Sequence, residues 1–251
     1  MVVIPGPLDY MGGGYNAGEP LRQIRIARGF AIADKDVTVE QFLRFRQDHQ
    51  YKQDFSPSVD CPVTEVTWYE AAAYCNWLSK EEGIPEDQWC YAPNSTKSFD
   101  KGMEIRVGRE GYRLPSEWEW EYACRAGSVT DYCFGTPEEL LGRYAWYASN
   151  SNRRTWPVGT LRPNDLGLFD VHGNVVRWCL DVYEDYGVTA KPVPTMGSEE
   201  NGGVVDEKAR RVMRGGAFNY RPTNLRSANR AGNRPGNRNY VIGFRPARTY
   251  N

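Results

Sequence analysis

A chain of 251 residues, 40% of them hydrophobic, is long enough to bury one sizeable core. Its 31 basic and 32 acidic side chains leave a net charge of −1, which disfavours a dedicated nucleic-acid binder, and 13% aromatic residues argue against disorder. No run approaches the roughly 20 apolar residues of a membrane helix, and the start Met1-Val2-Val3-Ile4-Pro5-Gly6 lacks the basic and apolar regions of a signal peptide.

The near-neutral total hides a split. From Arg214 to Asn251 there are eight arginines and no lysine, aspartate or glutamate, so a +8 segment follows a −9 remainder. Six cysteines (61, 75, 90, 124, 133 and 179) form no CxxC pair, and two histidines provide no zinc spacing. Cys75 and Cys124 fall on apolar faces of predicted helices and are expected as buried free thiols, which suits a reducing, cytoplasmic location.

In chain order, Val2–Gly6 and the Gly12–Gly14 triplet read as a short strand and a turn. Arg22–Ala33 alternates in part and predicts a strand. Thr38 is placed to cap a helix over Val39–Gln47. Thr67 and Glu70 form a capping box for a second helix, whose buried face is Ala71, Ala72, Tyr74, Cys75 and Leu78 and whose end is Gly83. Residues 84–112 read as irregular. Arg113–Glu117 opens a third helix, Trp118–Ala126, closed by Gly127. Beyond it the pattern predicts a loop-rich β region, with Lys191–Glu207 as a solvated loop and one domain over 1–251. In the tail, Val212–Phe218 and Val241–Arg245 read as anchored strands. Between them Asn229-Arg230, Asn233-Arg234 and Asn237-Arg238 repeat, but Gly232, Pro235 and Gly236 break any helix, so this stretch is expected to be extended, looping and displayed.

Several stretches carry a family resemblance. Arg113–Ala123 (RLPSEWEWEYA), Gly167–Trp178 (GLFDVHGNVVRW), Arg214–Phe218 (RGGAF), Leu225–Arg230 (LRSANR) and Ile242–Arg245 (IGFR) resemble, in order, the signatures of the formylglycine-generating enzyme (sulfatase-modifying factor) family, as do Asp36–Phe45 and Pro62–Leu78. The resemblance implies an α+β, C-type-lectin-like fold with few helices, short antiparallel sheets and much irregular chain.

Fold alone does not fix activity. The family's oxidases hold two cysteines after the GG-aromatic strand, for copper binding or disulfide exchange. Tyr220 and Leu225 stand at those positions, so that activity is not expected. A sulfoxide synthase needs a His-rich iron site, whereas only His49, expected at a helix end facing solvent, and His172, expected to bond structurally within the HGN turn, are present. No GxSxG marks a hydrolase. Glu117, Glu119 and Glu121 are expected to be exposed or capping rather than catalytic. No cofactor is required. The family implies a structural calcium site, for which Asn164 with backbone carbonyls near Gly167 and Phe169 stands beside the reading of a plain turn.

The tail also resembles the variable region of diversity-generating retroelement variable proteins, in which adenine-directed mutation rewrites chosen codons. That resemblance makes Asn219, Tyr220, Arg221, Thr223, Asn229, Ala231, Gly232, Asn233, Arg234, Asn239, Tyr240 and Val241 the diversified, ligand-binding positions. Gly215, Gly216, Phe218, Leu225, Arg226, Arg230, Gly243, Phe244 and Arg245 would be fixed anchors. Arg226, Arg230 and Arg245 are expected to pair with acids of the body, leaving Arg221, Arg234 and Arg238 exposed. The leading expectation is a non-catalytic module binding a protein or glycoconjugate. The alternatives are a divergent redox enzyme of the family and a non-diversified binding or effector domain of a longer chain, with nucleic acid an unlikely ligand.

Overall fold

Three capping boxes start the three helices of the computed structural model, which describes residues 1–14, 19–184 and 202–250. Thr38, Thr67 and Ser116 each accept the N–H three residues on, and Gln41, Glu70 and Glu119 each take the N–H of the cap itself. They begin α1 (Val39–Phe45), α2 (Trp68–Glu81) and α3 (Glu117–Arg125). Helix α1 ends before the predicted Gln47. Helix α2 stops ahead of Gly83, and α3 closes through left-handed Ala126 and Gly127.

The N-terminal strands are β1 (Val2–Ile4), β2 (Leu8–Gly12), β3 (Arg22–Ile26) and β4 (Gly29–Ile32). The predicted strand over 22–33 is therefore two strands: β3 makes a hairpin with β2, and β4 pairs with β1. The stretch read as irregular holds three short strands, β5 (Tyr91–Ala92), β6 (Glu104–Ile105) and β7 (Tyr112–Arg113). Then come β8 (Ala145–Trp146), β9 (His172–Gly173), β10 (Val176–Val182), β11 (Gly203–Val204), β12 (Arg211–Arg214), β13 (Arg230–Asn233), β14 (Ile242–Gly243) and β15 (Ala247–Tyr250). Of the loop predicted over 191–207, residues 191–201 lie outside the described residues, while β11 pairs with β6 and Val205 is buried.

Two four-stranded sheets organise the chain, ordered β1-β4-β15-β7 and β13-β12-β10-β14. The second divides the interior. Strand alternation sends Val176, Trp178 and Leu180 of β10 into a core with Phe42, Trp68, Phe218 and Phe244, and Cys179 into another with Phe30, Trp118 and Trp120. Each large apolar side chain so buried contributes about 1.5–3 kcal/mol. A smaller cluster joins Tyr132, Leu141, Ala145 and Leu225. The tail is woven through this frame: β12 and β14 flank β10, β13 forms the sheet edge, and β15 sits between β4 and β7. The tail stretch expected to loop thus contains an edge strand and a short 3-10 turn at Pro222–Leu225.

Candidate functional site

Five of the eight tail arginines are anchored by acids of the body. Asp36, fully buried, accepts Arg177 Nε and Nη2 at 2.9 and 2.7 Å and Arg245 Nε at 3.0 Å. Burial alone would raise its pKa, but the two guanidinium charges outweigh that and hold the carboxyl below its ordinary value. Arg214, also fully buried, bonds Glu121 and the carbonyls of Ala228 and Asn229. Arg226 forks onto Glu19 and Arg230 onto Glu117. Arg238 reaches Glu70 at 2.9 Å and is half exposed. Among the described residues, only Arg221 and Arg234 of the exposed tail arginines have no carboxylate in ion-pair range.

Two expectations are corrected here. Glu117, Glu119 and Glu121 are buried rather than exposed. Glu119 does cap α3, but it also grips Arg113 through two 2.7 Å bonds, and Glu121 takes Gly13 N–H, Arg125 and Arg214. Clasped in this way, these carboxylates serve as ion-pair partners. His49 is buried, not solvent-facing: its Nε2 lies 2.9 Å from the Thr64 carbonyl, so Nε2 carries the proton. Glu117 and Glu121 are covered by arginines about a hundred residues away, and His49 is held in a turn between Phe42, Tyr51 and Thr64 that follows no helical or strand period.

His172 has a structural role. Cys133 N–H donates to its Nε2 at 3.1 Å, so its Nδ1–H donates to the Leu225 carbonyl at 2.7 Å. Burial lowers its pKa to about 4 and keeps the ring neutral. Of the two residues expected at the family's cysteine positions, Leu225 is fully buried, its carbonyl bonded by that ring, and Tyr220 is half buried. All six cysteines are free, and burial raises each thiol, Cys90 and Cys124 to about 11. Thiols held protonated are poor nucleophiles and poor copper ligands.

The calcium set does not fit. The Asn164 Oδ1 accepts Leu166 and Leu168 N–H at 3.2 and 3.0 Å, while its Nδ2 donates to the Ala123 and Cys124 carbonyls at the end of α3. The Phe169 carbonyl receives Arg245 Nη2 at 2.8 Å. The Asn164 amide oxygen and the Phe169 carbonyl are thus engaged by two amide protons and a guanidinium, and Asn164 works as a helix-end clasp. Gly167 has a left-handed backbone (φ 82°), which suits the turn reading.

The positions assigned to diversification separate from the anchors. Asn219, Arg221, Thr223, Arg234 and Asn239 are exposed, and Tyr220, Asn229, Ala231, Gly232, Asn233 and Tyr240 are half buried. Val241 is the exception, packed inside the larger core. Gly232 is also constrained: a Cβ there would lie 2.5 Å from the Tyr183 ring. Of the nine anchors, seven are buried and the other two, Arg226 and Arg230, are ion-paired. Gly215 has φ 93°, and an added Cβ would strike Arg177 at 2.4 Å and Trp120 at 2.9 Å, so only glycine fits against the buried arginine.

Residues outside the tail complete this face. Tyr240 stacks on Phe55 at 4.2 Å, with the Lys52 ammonium 5.6 Å from its ring centre. The Tyr220 carbonyl receives Ala148 N–H, and Ser151 Oγ holds the Phe218 carbonyl. Beyond Lys52 opens a cleft of about 510 Å³ lined by Arg46, His49, Tyr51, Lys52, Glu70 and Arg238, among others. Phe55, Lys52 and Arg46 lie in or beside an irregular stretch without a helical or strand period, so no local pattern could reveal them.

Residues 1–250 match the model of the sulfatase-modifying factor enzyme 1-like domain, and the chain belongs to that family. The mixed fold of few helices and short sheets is the C-type-lectin-like fold of formylglycine-generating-enzyme type. Over 100% of this chain and 95% of the other, the structure is similar to Treponema denticola variable protein 1, with a TM-score of 0.86 and 27% identity. That likeness agrees with the variable-protein motifs of the tail. The sequence is 28% identical to the formylglycine-generating enzyme of Thermomonospora curvata over 87% of this chain and 82% of that one. It is 32% identical to the chaperone protein LppX of Paenibacillus barcinonensis over 59% of this chain and 65% of that one. Against four of its curated relatives the chain spans only 24–65% of their length. Among the described residues, no helix is long and apolar enough to cross a membrane.

Proposed function

We propose that this is a non-catalytic ligand-binding protein whose C-terminal surface is diversified by a retroelement of the diversity-generating kind. The observation that carries it is the separation just described: eleven of the twelve assigned positions reach the surface, while every anchor between them is buried or ion-paired. Tyr220, Ala231 and Tyr240 pack partly against the core, whereas the five exposed positions, Asn219, Arg221, Thr223, Arg234 and Asn239, leave it untouched and tolerate substitution most freely. Tyr220, Tyr240, Arg221 and Arg234 are residue types favoured at binding hot spots, and the asparagines supply adaptable hydrogen bonds. The ligand is a protein or glycoconjugate. The high thiol pKa values and the missing cysteine pair support a protein without the family's oxidase chemistry, and six unpaired thiols support residence in a reducing compartment such as the cytoplasm.

Sequencing the gene's surroundings tests this. An adenine-rich, near-identical copy of the segment coding for the tail, next to a reverse-transcriptase gene, is the expected result, with differences at codons 219–240. A locus without either element overturns diversification.

A further inference from the structure

We propose that the cleft beside Tyr240 is a carboxylate-binding site that accepts a glutamate or aspartate side chain of a protein partner, and that it is built from residues outside the diversified set. The cleft is organised by Glu70. This buried carboxylate uses Oε2 for the N–H and hydroxyl of Thr67, both at 2.9 Å, and Oε1 for two guanidiniums, Arg46 and Arg238. Arg238 is fixed a second time by the Glu65 carbonyl at 3.1 Å. One buried acid thus orients two arginines that are each partly open to solvent, at 39% and 48% exposure.

Those bonds do not exhaust the donors. Arg46 Nε and Nη2 and Arg238 Nε have no protein hydrogen-bond partner among the described residues. Lys52 adds a third cation on the same cleft. Planar guanidinium forks held in advance suit a planar carboxylate, since the ordering cost is already met within the fold. Asp48 and Glu65 also line the cleft, which leaves its charge balanced. With no net charge to gather a polyanion, recognition rests on the free guanidinium N–H groups, which match a single planar carboxylate. Aromatic faces stand at the rim: Tyr51 stacks on His49, and Tyr240 stacks on Phe55 under Lys52. They offer an apolar bed for the peptide chain that carries the acid.

Arg46, Lys52, Glu70 and Arg238 are all outside the twelve diversified positions. The cleft would therefore serve every variant as a common anchor, with Tyr240 as the shared border between constant and changing surface. This biological sense rests on the display reading. The chemistry of the cleft does not, and the test reads the cleft alone.

The probe is a short capped peptide with one glutamate, compared with the same peptide carrying glutamine, and titrated while the arginine Nε–H signals are followed by NMR. The glutamate peptide should shift the Arg46 and Arg238 signals and bind at least tenfold more tightly than the glutamine one. Arg238→Gln and, separately, the exposed Lys52→Gln should each weaken it several-fold, whereas Lys80→Gln, exposed on α2 and outside both the cleft and the diversified set, should leave it unchanged. Equal binding of the two peptides, or binding indifferent to both cleft substitutions, overturns the proposal. Binding of free glucuronate without binding of the peptide overturns it in favour of an acidic sugar. A locus lacking the retroelement would remove diversification while leaving this result standing.

Discussion

Arg245 and Arg221 are the same residue type in the same acid-free tail, and they do opposite things. Arg245, like Arg214, is sealed in the interior on a carboxylate and backbone carbonyls. Arg221, like Arg234, faces solvent with no carboxylate in reach among the described residues. Composition does not separate the two groups. What does is whether the fold brings a buried acid opposite: Asp36, Glu117 and Glu121 lie far upstream in sequence and meet the tail only in the folded chain. Buried charges are tolerable because each is paired and hydrogen-bonded.

The largest effect should come from breaking the buried side of this contrast. Asp36→Ala strands two guanidiniums in the interior, and such a loss typically costs about 3–5 kcal/mol. Chemical denaturation should show that loss, or failure to fold. A change below about 1 kcal/mol would mean that the interior pairs are not what anchors the tail.

A smaller effect concerns Asp170, beside the same hub. Burial, and then the charge of Asp36, push its pKa up to about 6. A carboxyl raised in the folded state binds its proton more tightly there than when unfolded. Its contribution is therefore present below about pH 4 and is lost as pH rises through about 6. Asp170→Asn keeps an acceptor for Gly159 N–H and removes the titration. Relative to wild type, the variant should gain on the order of 2 kcal/mol between pH 4 and pH 7. Thermal unfolding at several pH values checks this, and a constant difference between the two proteins would refute it.

The smallest effect is expected on the displayed side. Arg221→Ala, Thr223→Ala and Arg234→Ala, alone or combined, should shift stability by no more than about 0.5 kcal/mol each, because these side chains are exposed and outside any ion pair. Loss of more than about 2 kcal/mol in the triple variant would show that the patch is structural and would blur the contrast.

Much of this was legible before folding. The cap at Thr38, the capping box at Thr67, the glycine helix stops and the tail motifs depend on near neighbours, which the sequence displays directly. The anchoring of Arg226, Arg230 and Arg245 followed from their place in the motifs. The burial of His49 and of the three glutamates on α3 was not legible. Helical glutamates are ordinarily solvated, but here β12 and β13 bring Arg214 and Arg230 to Glu121 and Glu117, while Arg113 of β7 meets Glu119 on the opposite side of the helix. Val241 likewise looks free in the tail pattern, yet it lies in the larger core. The aromatic and cationic border at Phe55, Lys52 and Arg46 has no period at all.

The sequence by itself determined where the three helices fall, the absence of a cysteine pair at 220 and 225, and the split between a −9 body and a +8 tail. Only the tertiary structure decided what that split means. Five of the eight tail arginines (214, 226, 230, 238 and 245) are within ion-pair distance of body carboxylates. Much of the opposition is thus consumed internally, because pairing depends on which distant acid shares a low-dielectric interior with which guanidinium, and no local pattern encodes that distance.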